Sequence, residues 1–165
     1  MVSRGKVVIS AAFAGLFAML LGFYYYASLG APELEEVQLN LNSVKVLEVN
    51  SVDQRAKLEV IFLVSNPSEK TLTVSSIHYD LLVNDKIVGN GEYSAEDISL
   101  PGRALIPAGG QIPYPSIFNL VYTNHIAEEY SAVTNNENVT YAVKGTATIK
   151  SAWTEVDKQF ESVLG

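Results

Sequence analysis

Residues 58–68 read LEVIFLVSNPS, from Leu58 to Ser68. Leu58, Val60, Phe62 and Val64 fall on one face of an extended chain, and Ile61 and Leu63 share the other with Glu59 and Ser65. Successive side chains of a strand point to opposite faces, so a run that is apolar on both predicts a central strand of a β-sandwich. Asn66-Pro67-Ser68 stops it, because proline lacks the N–H that a central ladder needs.

The pattern continues outward from this strand. Val74–Val83 places Ile77, Tyr79, Leu81 and Val83 on one face, with His78 and Asp80 on the other. Asn84-Asp85 signals a tight turn into Ile87-Val88, and Gly89 and Gly91 mark a bulge or an edge. The stretch from Ile98 to Ile106 is broken by Pro101-Gly102, and Pro113 and Pro115 confine Gln111–Phe118 to an edge or an irregular strand. Tyr122, Ile126, Tyr130 and Val133 lie three and four apart, which predicts a helix over 119–133 with Glu128 and Glu129 on or beside its wet face and Asn135-Asn136 at its end. Two long strands, Val139–Ile149 and about Thr154–Val163, close the chain around a turn near Ser151. Trp153 beside that turn is core if buried and a contact if exposed. Upstream, the first strand is expected to start at Val44 and Val46, after an acidic linker over 31–42 opened by Pro32. The expectation is an all-β domain over 43–165, a sandwich of about seven strands with one helix.

The N-terminus is of another kind. Val7–Leu29 holds no charged residue. As a helix these 23 residues span roughly 34 Å at 1.5 Å each, enough for a hydrocarbon core of about 30 Å. Arg4 and Lys6 precede the run and Glu33, Glu35 and Glu36 follow it, so the positive-inside rule leaves a stub over 1–6 in the cytoplasm and the β-domain outside. Tyr24, Tyr25 and Tyr26 suit the outer headgroup level. The expectation is a single-pass protein of the cell membrane, with a transmembrane helix over 7–30 and lipid contact through 7–29. A cleaved signal peptide with Ser28 and Gly30 before the cut, or a pilin-like leader cut after Gly5, would use the same segment differently. Ala11 and Gly15, then Ala14, Ala18 and Gly22, recur every four residues. Such a small-residue ridge is ordinary membrane-helix composition or a packing face for another membrane protein.

Composition narrows the function. The chain has 165 residues, no cysteine and a net charge of −7. About 135 residues outside the helix fit one core. Disulfides, zinc-thiolate sites and cysteine nucleophiles are excluded, and their absence favours an archaeal or bacterial origin over a secreted eukaryotic one. Without Arg4 and Lys6 the outer domain is more acidic still. It repels phosphate backbones, so nucleic acid is not an expected partner, and it should stand off an anionic bilayer.

The ordered motifs resemble a family. A long apolar strand ends in Ser65-Asn66-Pro67-Ser68. Leu72-Thr73-Val74 follows, running through Ile77-His78-Tyr79-Asp80-Leu81-Leu82-Val83-Asn84. Next come Gly89-Asn90-Gly91, then Pro107-Ala108-Gly109-Gly110 and, after the helix, Val139-Thr140-Tyr141-Ala142-Val143-Lys144-Gly145-Thr146. Over roughly 43–163 the chain resembles the type-2 late-embryogenesis-abundant proteins, or WHy (water stress and hypersensitive response) domain. The resemblance implies an immunoglobulin- or fibronectin-III-like sandwich with a helix between late strands, a non-enzymatic role linked to stress protection, and no catalytic residues. Pro113 and Pro115 depart from the plain strand that members carry there.

Nothing in the sequence reads as an active site, and no catalytic, cofactor or metal residue is assigned. His125 and Glu129 are four apart on the expected helix, but two ligands do not make a metal site, and His78 would have to join them. Glu96-Asp97 and Glu128-Glu129 read as solvated pairs. No calcium loop, nucleophile elbow, phosphate loop or dinucleotide fingerprint occurs. Asn66-Pro67 is a structural turn or a recognition tip. Asn138-Val139-Thr140 is an N-glycosylation sequon. The functional expectation is a membrane-anchored, extracytoplasmic binding or protective module. Its alternatives are an accessory subunit of a membrane complex and a pilin-like filament subunit.

Overall fold

The computed structural model describes residues 4–28, 34–95, 105–152 and 154–164, with side chains only for residues 12–25 in the first stretch. A 25-residue helix, α1 (Arg4–Ser28), precedes the β-body. Its strands are β1 (Gln38–Asn50), β2 (Arg55–Ser65), β3 (Leu72–Val83), β4 (Lys86–Ser94), the short β5 (Leu105–Ile106) and β6 (Gln111–Val121). A 3-10 turn (Asn124–Ile126) and α2 (Ala127–Thr134) follow, then β7 (Tyr141–Lys150) and β8 (Glu155–Val163). Every pairing is antiparallel. One sheet has the order β1-β2-β6; the other runs β4-β3-β7-β8, with β5 also pairing β3.

The inner faces of the two sheets form one core. Leu58, Val60, Phe62 and Val64 of β2 are wholly buried opposite Ile77, Tyr79, Leu81 and Val83 of β3. Each such side chain stabilises the fold by about 1.5–3 kcal/mol through lost apolar exposure. Phe62 meets Tyr79 edge-on at 4.8 Å and Phe160 of β8 at 5.9 Å. The flanks are bridged as well. The Leu41 N–H on β1 donates to Ser162 Oγ on β8 at 2.9 Å, and Ser116 Oγ on β6 donates to the Glu92 carbonyl on β4 at 3.0 Å.

Asn84 and Asp85 both have positive φ, 50° and 65°, and close the expected two-residue turn between β3 and β4. β4 is an edge strand, and the β3–β4 register slips at Leu81/Leu82, opposite Gly89. β6 is the expected edge, but it is regular: its register with β2 runs unbroken through Pro113 and Pro115. Both prolines sit two apart, so their missing donors face the open side of the sheet, where they also discourage pairing with another chain. β2 is central, yet Ile61 and Leu63 on its outer face are only half-buried.

Two expectations are corrected. The stretch 31–42 is not simply a linker: Leu34, Val37, Leu39 and Leu41 are buried in the core, and β1 starts at Gln38 rather than Val44. The acidic residues Glu35 and Glu36 are exposed, while Leu34 before them and Val37 after them point in. The helix does not start at residue 119. Phe118 and Leu120 are buried between exposed Ile117, Asn119 and Val121, a two-residue period that keeps β6 extended to Val121. The helical spacing of Tyr122 with Ile126 spans a loop, and α2 holds only residues 127–134, ending before Asn136 at φ 57°. Trp153, Glu96, Asp97 and the break at Pro101-Gly102 lie outside the described residues.

Tyr79 sits between two glycines across the sheet, Gly91 on β4 and Gly145 on β7. A Cβ on Gly91 would overlap the Tyr79 ring, and one on Gly145 would overlap the His78 carbonyl oxygen. Gly145→Ala is therefore expected to destabilise the full chain by about 3 kcal/mol, the upper range for overpacking, because backbone rather than a side chain must yield. Urea unfolding in mild detergent measures this. Gly15→Ala, whose methyl meets nothing within 4 Å, should leave the midpoint unchanged, and equal midpoints for both variants would refute the packing account.

Candidate functional site

The outer face of the five-stranded sheet carries the densest set of polar side chains. The register aligns Glu92, His78, Thr146 and Gln159 in one row across β4, β3, β7 and β8, and Asn90, Asp80, Lys144 and Glu161 in the next. Between the rows runs a shallow trough, about 440 Å³ over β4–β3–β7 and about 560 Å³ over β7–β8, with Asp80, Lys144 and Thr146 common to both parts. His78 Nδ1 lies 3.7 Å from Glu92 Oε1, and both side chains are more than half exposed. Such a surface offers hydrogen bonds to a polar partner. Its titratable groups are one imidazole, the carboxylates of Asp80, Glu92 and Glu161, and the Lys144 amine, all on an open face.

The tyrosines beneath serve structure. Burial pushes the Tyr79, Tyr93, Tyr114 and Tyr141 phenols above their ordinary range, with Ser116 partly offsetting the shift at Tyr79. They stay protonated at neutral pH. Tyr79 Oη donates to Ser116 Oγ at 3.0 Å.

Asn66 is wholly buried. Its Nδ2 lies 2.7 Å from the Lys70 carbonyl and 3.1 Å from those of Ile106 and Pro107, while its Oδ1 accepts from the Ser68 N–H at 3.1 Å and the Ser68 hydroxyl at 2.7 Å. Its own N–H donates to the Gly110 carbonyl at 2.9 Å. One amide thus ties the β2–β3 loop to the Pro107–Gly110 turn. That makes Asn66 a clasp rather than a recognition tip, while Pro67 beside it is exposed.

The other candidates stay apart. His125 is exposed on the 3-10 turn, while Glu129 is not on the wet side: it is buried and pairs with Lys86 Nζ at 3.1 Å. Its own backbone N–H, and then Lys86 and His125, hold the Glu129 carboxyl below the usual carboxylate range against the opposing effect of burial. His78 lies on the sheet face, paired toward Glu92. Among the described residues no group of three His, Cys, Asp or Glu could hold a metal. Asn138 is exposed in the loop after α2.

On α1 every described side chain, from residue 12 to residue 25, is exposed, including Phe13, Phe17, Leu20, Phe23 and Tyr24 at 58–76%. A Cβ at Gly15 or Gly22 would meet nothing within 4 Å, and Ala14 and Ala18 are exposed between them; the Ala11 side chain lies outside the described residues. Among the described residues no helix is long and apolar enough to cross a membrane.

No family model matches the chain, and no curated protein does. Among solved structures, the structural-genomics target SoR45 shares 10% identity at a TM-score of 0.51, over 80% of this chain and 88% of that one. At this identity the likeness shows a shared fold alone. At2g46140.1, provisionally assigned to the late embryogenesis abundant (LEA) proteins, shares 12% identity at a TM-score of 0.46, over 98% and 90% of the two chains. A protein from Archaeoglobus fulgidus shares 19% at 0.44, over 75% and 94%. Scores below 0.5 settle neither family nor task.

Two outcomes are expected. Asn66→Ala should lower stability by about 2–3 kcal/mol, because the buried Ser68 and Ile106 groups lose their partner; an unchanged urea midpoint would return Asn66 to a recognition role. For Glu129, a carboxyl whose folded pKa is depressed contributes stability above its unfolded pKa and loses it as pH falls through the folded value. Melting temperature should therefore drop between about pH 5 and pH 3, and Lys86→Met should flatten part of that drop. Parallel acid profiles would show that the pair does not contribute.

Proposed function

We propose that this is a non-enzymatic, membrane-anchored module whose β-sandwich lies outside the cytoplasm and binds or shields other macromolecules, in the manner of the LEA type-2 proteins it resembles. The observation that carries this reading is the helix α1, apolar over residues 12–25, which precedes the β-body in the chain. Side chains such as Phe13, Phe17 and Leu20 are exposed around its whole girth. A helix hydrophobic all round requires cover, and with Val7–Leu29 free of charge the cover of matching length is a lipid bilayer. Arg4 and Lys6 on one side and the acidic body on the other favour the outward topology. The broad polar face of the β-body, with Asn90, Asp80, Lys144 and Glu161 in one row, suits a binding role. The stress-related part rests on the motif order from Ser65-Asn66-Pro67-Ser68 to Gly145.

A second reading, an accessory subunit of a membrane complex, is favoured by the open space at Gly15 and Gly22, where another helix could approach closely. Deleting the gene and scoring survival of drying and osmotic shock separates the two. Reduced survival restored by the wild-type chain is expected for the protective module; normal survival contradicts it. Native electrophoresis of the protein extracted in mild detergent should show the monomer for a module acting alone. A larger complex lost in Gly15→Leu/Gly22→Leu would move the assignment to the subunit.

A further inference from the structure

We infer that Asn138 is a site of N-linked glycosylation, placed at the end of the β-body farthest from the membrane; the inference rests on the outward topology proposed above. The sequon Asn138-Val139-Thr140 is a short motif, and the structure adds three features that a buried or strand-bound copy would lack. Asn138 is exposed and outside any helix or strand. Its amide has no hydrogen-bond partner among the described residues, in contrast to the buried clasp of Asn66. The neighbours on either side are fixed: the Glu137 N–H donates to the Ala132 carbonyl at 2.9 Å, the Asn84 N–H donates to the Thr140 carbonyl at 2.9 Å, and the Thr140 N–H donates to Asn84 Oδ1 at 3.0 Å. Val139 is partly buried and packs against the core, whereas Asn138 and Thr140 are exposed. The acceptor amide and the hydroxyl two residues on are thus both presented to solvent, on a segment pinned by its middle residue and its far end.

The location fits access from outside. Strand β1 starts beside the end of β2, with Gln38 paired to Ser65, and this is the end of the β-body nearest α1 in the sequence. Val83 pairs with Tyr141 at the opposite end of β3 from Leu72, so the Asn84 turn and Asn138 lie away from the tether. The reaction joins Asn138 Nδ2 to the anomeric carbon of a glycan carried on a lipid diphosphate. The bond from that carbon to the diphosphate oxygen breaks with its electron pair, the lipid diphosphate leaves, and the amide loses one proton to a base of the transferase. No oxidant or reductant takes part.

The test uses the full-length chain purified from membranes of its own cells. Intact mass, and the mass of the Asn138 peptide, should exceed the sequence value by at least one sugar. Asn138→Gln and Thr140→Ala should abolish the increment, and Thr140→Ser should retain it. Because the Asn138 side chain is exposed, Asn138→Gln should melt with the deglycosylated wild type, which separates loss of the site from loss of the fold. A single cysteine at Val52, 93% exposed in a chain with no other cysteine, reports topology through a membrane-impermeant maleimide on whole cells. A labelled Val52→Cys chain with a bare Asn138 peptide overturns the glycosylation and leaves the topology standing. An unlabelled chain that reacts only after lysis, with a bare peptide, overturns both.

Discussion

The Tyr79 ring joins the two sheets, and much of the β-body is arranged to admit it. It meets Phe62 edge-on at 4.8 Å and lies 6.3 Å from Phe118 of the opposite sheet. Such aromatic pairs add about 0.5–1.5 kcal/mol to the area they bury. Its hydroxyl would be costly so deep in the core without a partner. Ser116 supplies one, and passes the chain of hydrogen bonds to the Glu92 carbonyl on β4. Gly91 flanks it because a Cβ there would overlap the ring, while Gly145 on the other side leaves room for the backbone of His78 and Tyr79. One residue thus links the two sheets, accounts for glycine on the neighbouring β4 and supports a polar contact across the flank.

Sequence patterns recovered the parts of this arrangement that obey a short period. The inward face of β2, the inward residues of β3, the Asn84-Asp85 turn and the edge position of β6 were all legible, since alternation, positive φ and the missing proline donor act locally. Where two periods overlapped, local reading failed. Phe118, Tyr122 and Ile126 fit a helical stripe, but Phe118 and Leu120 also fit a strand, and pairing with β2 decides for the strand. The acidic character of residues 33–36 masked the apolar Leu34 and Val37. Glu129 looked solvated because its partner, Lys86, is 43 residues away.

The candidate sites show the same limit. Asn66 stood out in the sequence as part of a turn, and its weight in the structure comes from carbonyls 40 and 41 residues distant. The polar trough on the outer sheet was not visible beforehand: His78 and Asp80 read as ordinary outward residues of one strand, and only the register sets them beside Glu92, Lys144, Thr146 and Glu161. The β-body thus presents a polar sheet face above a dry core, and the described side chains of α1 are apolar and exposed.

The proposed division of labour, a greasy rod within the bilayer and a pleated body beyond it, is tested most directly by shaving intact cells with protease and identifying by mass spectrometry what stays in the membrane. The account predicts that a fragment containing residues 7–28 remains with the lipid while the β-body is released or degraded from outside. A β-body untouched in intact cells and cut only after they are opened would contradict it.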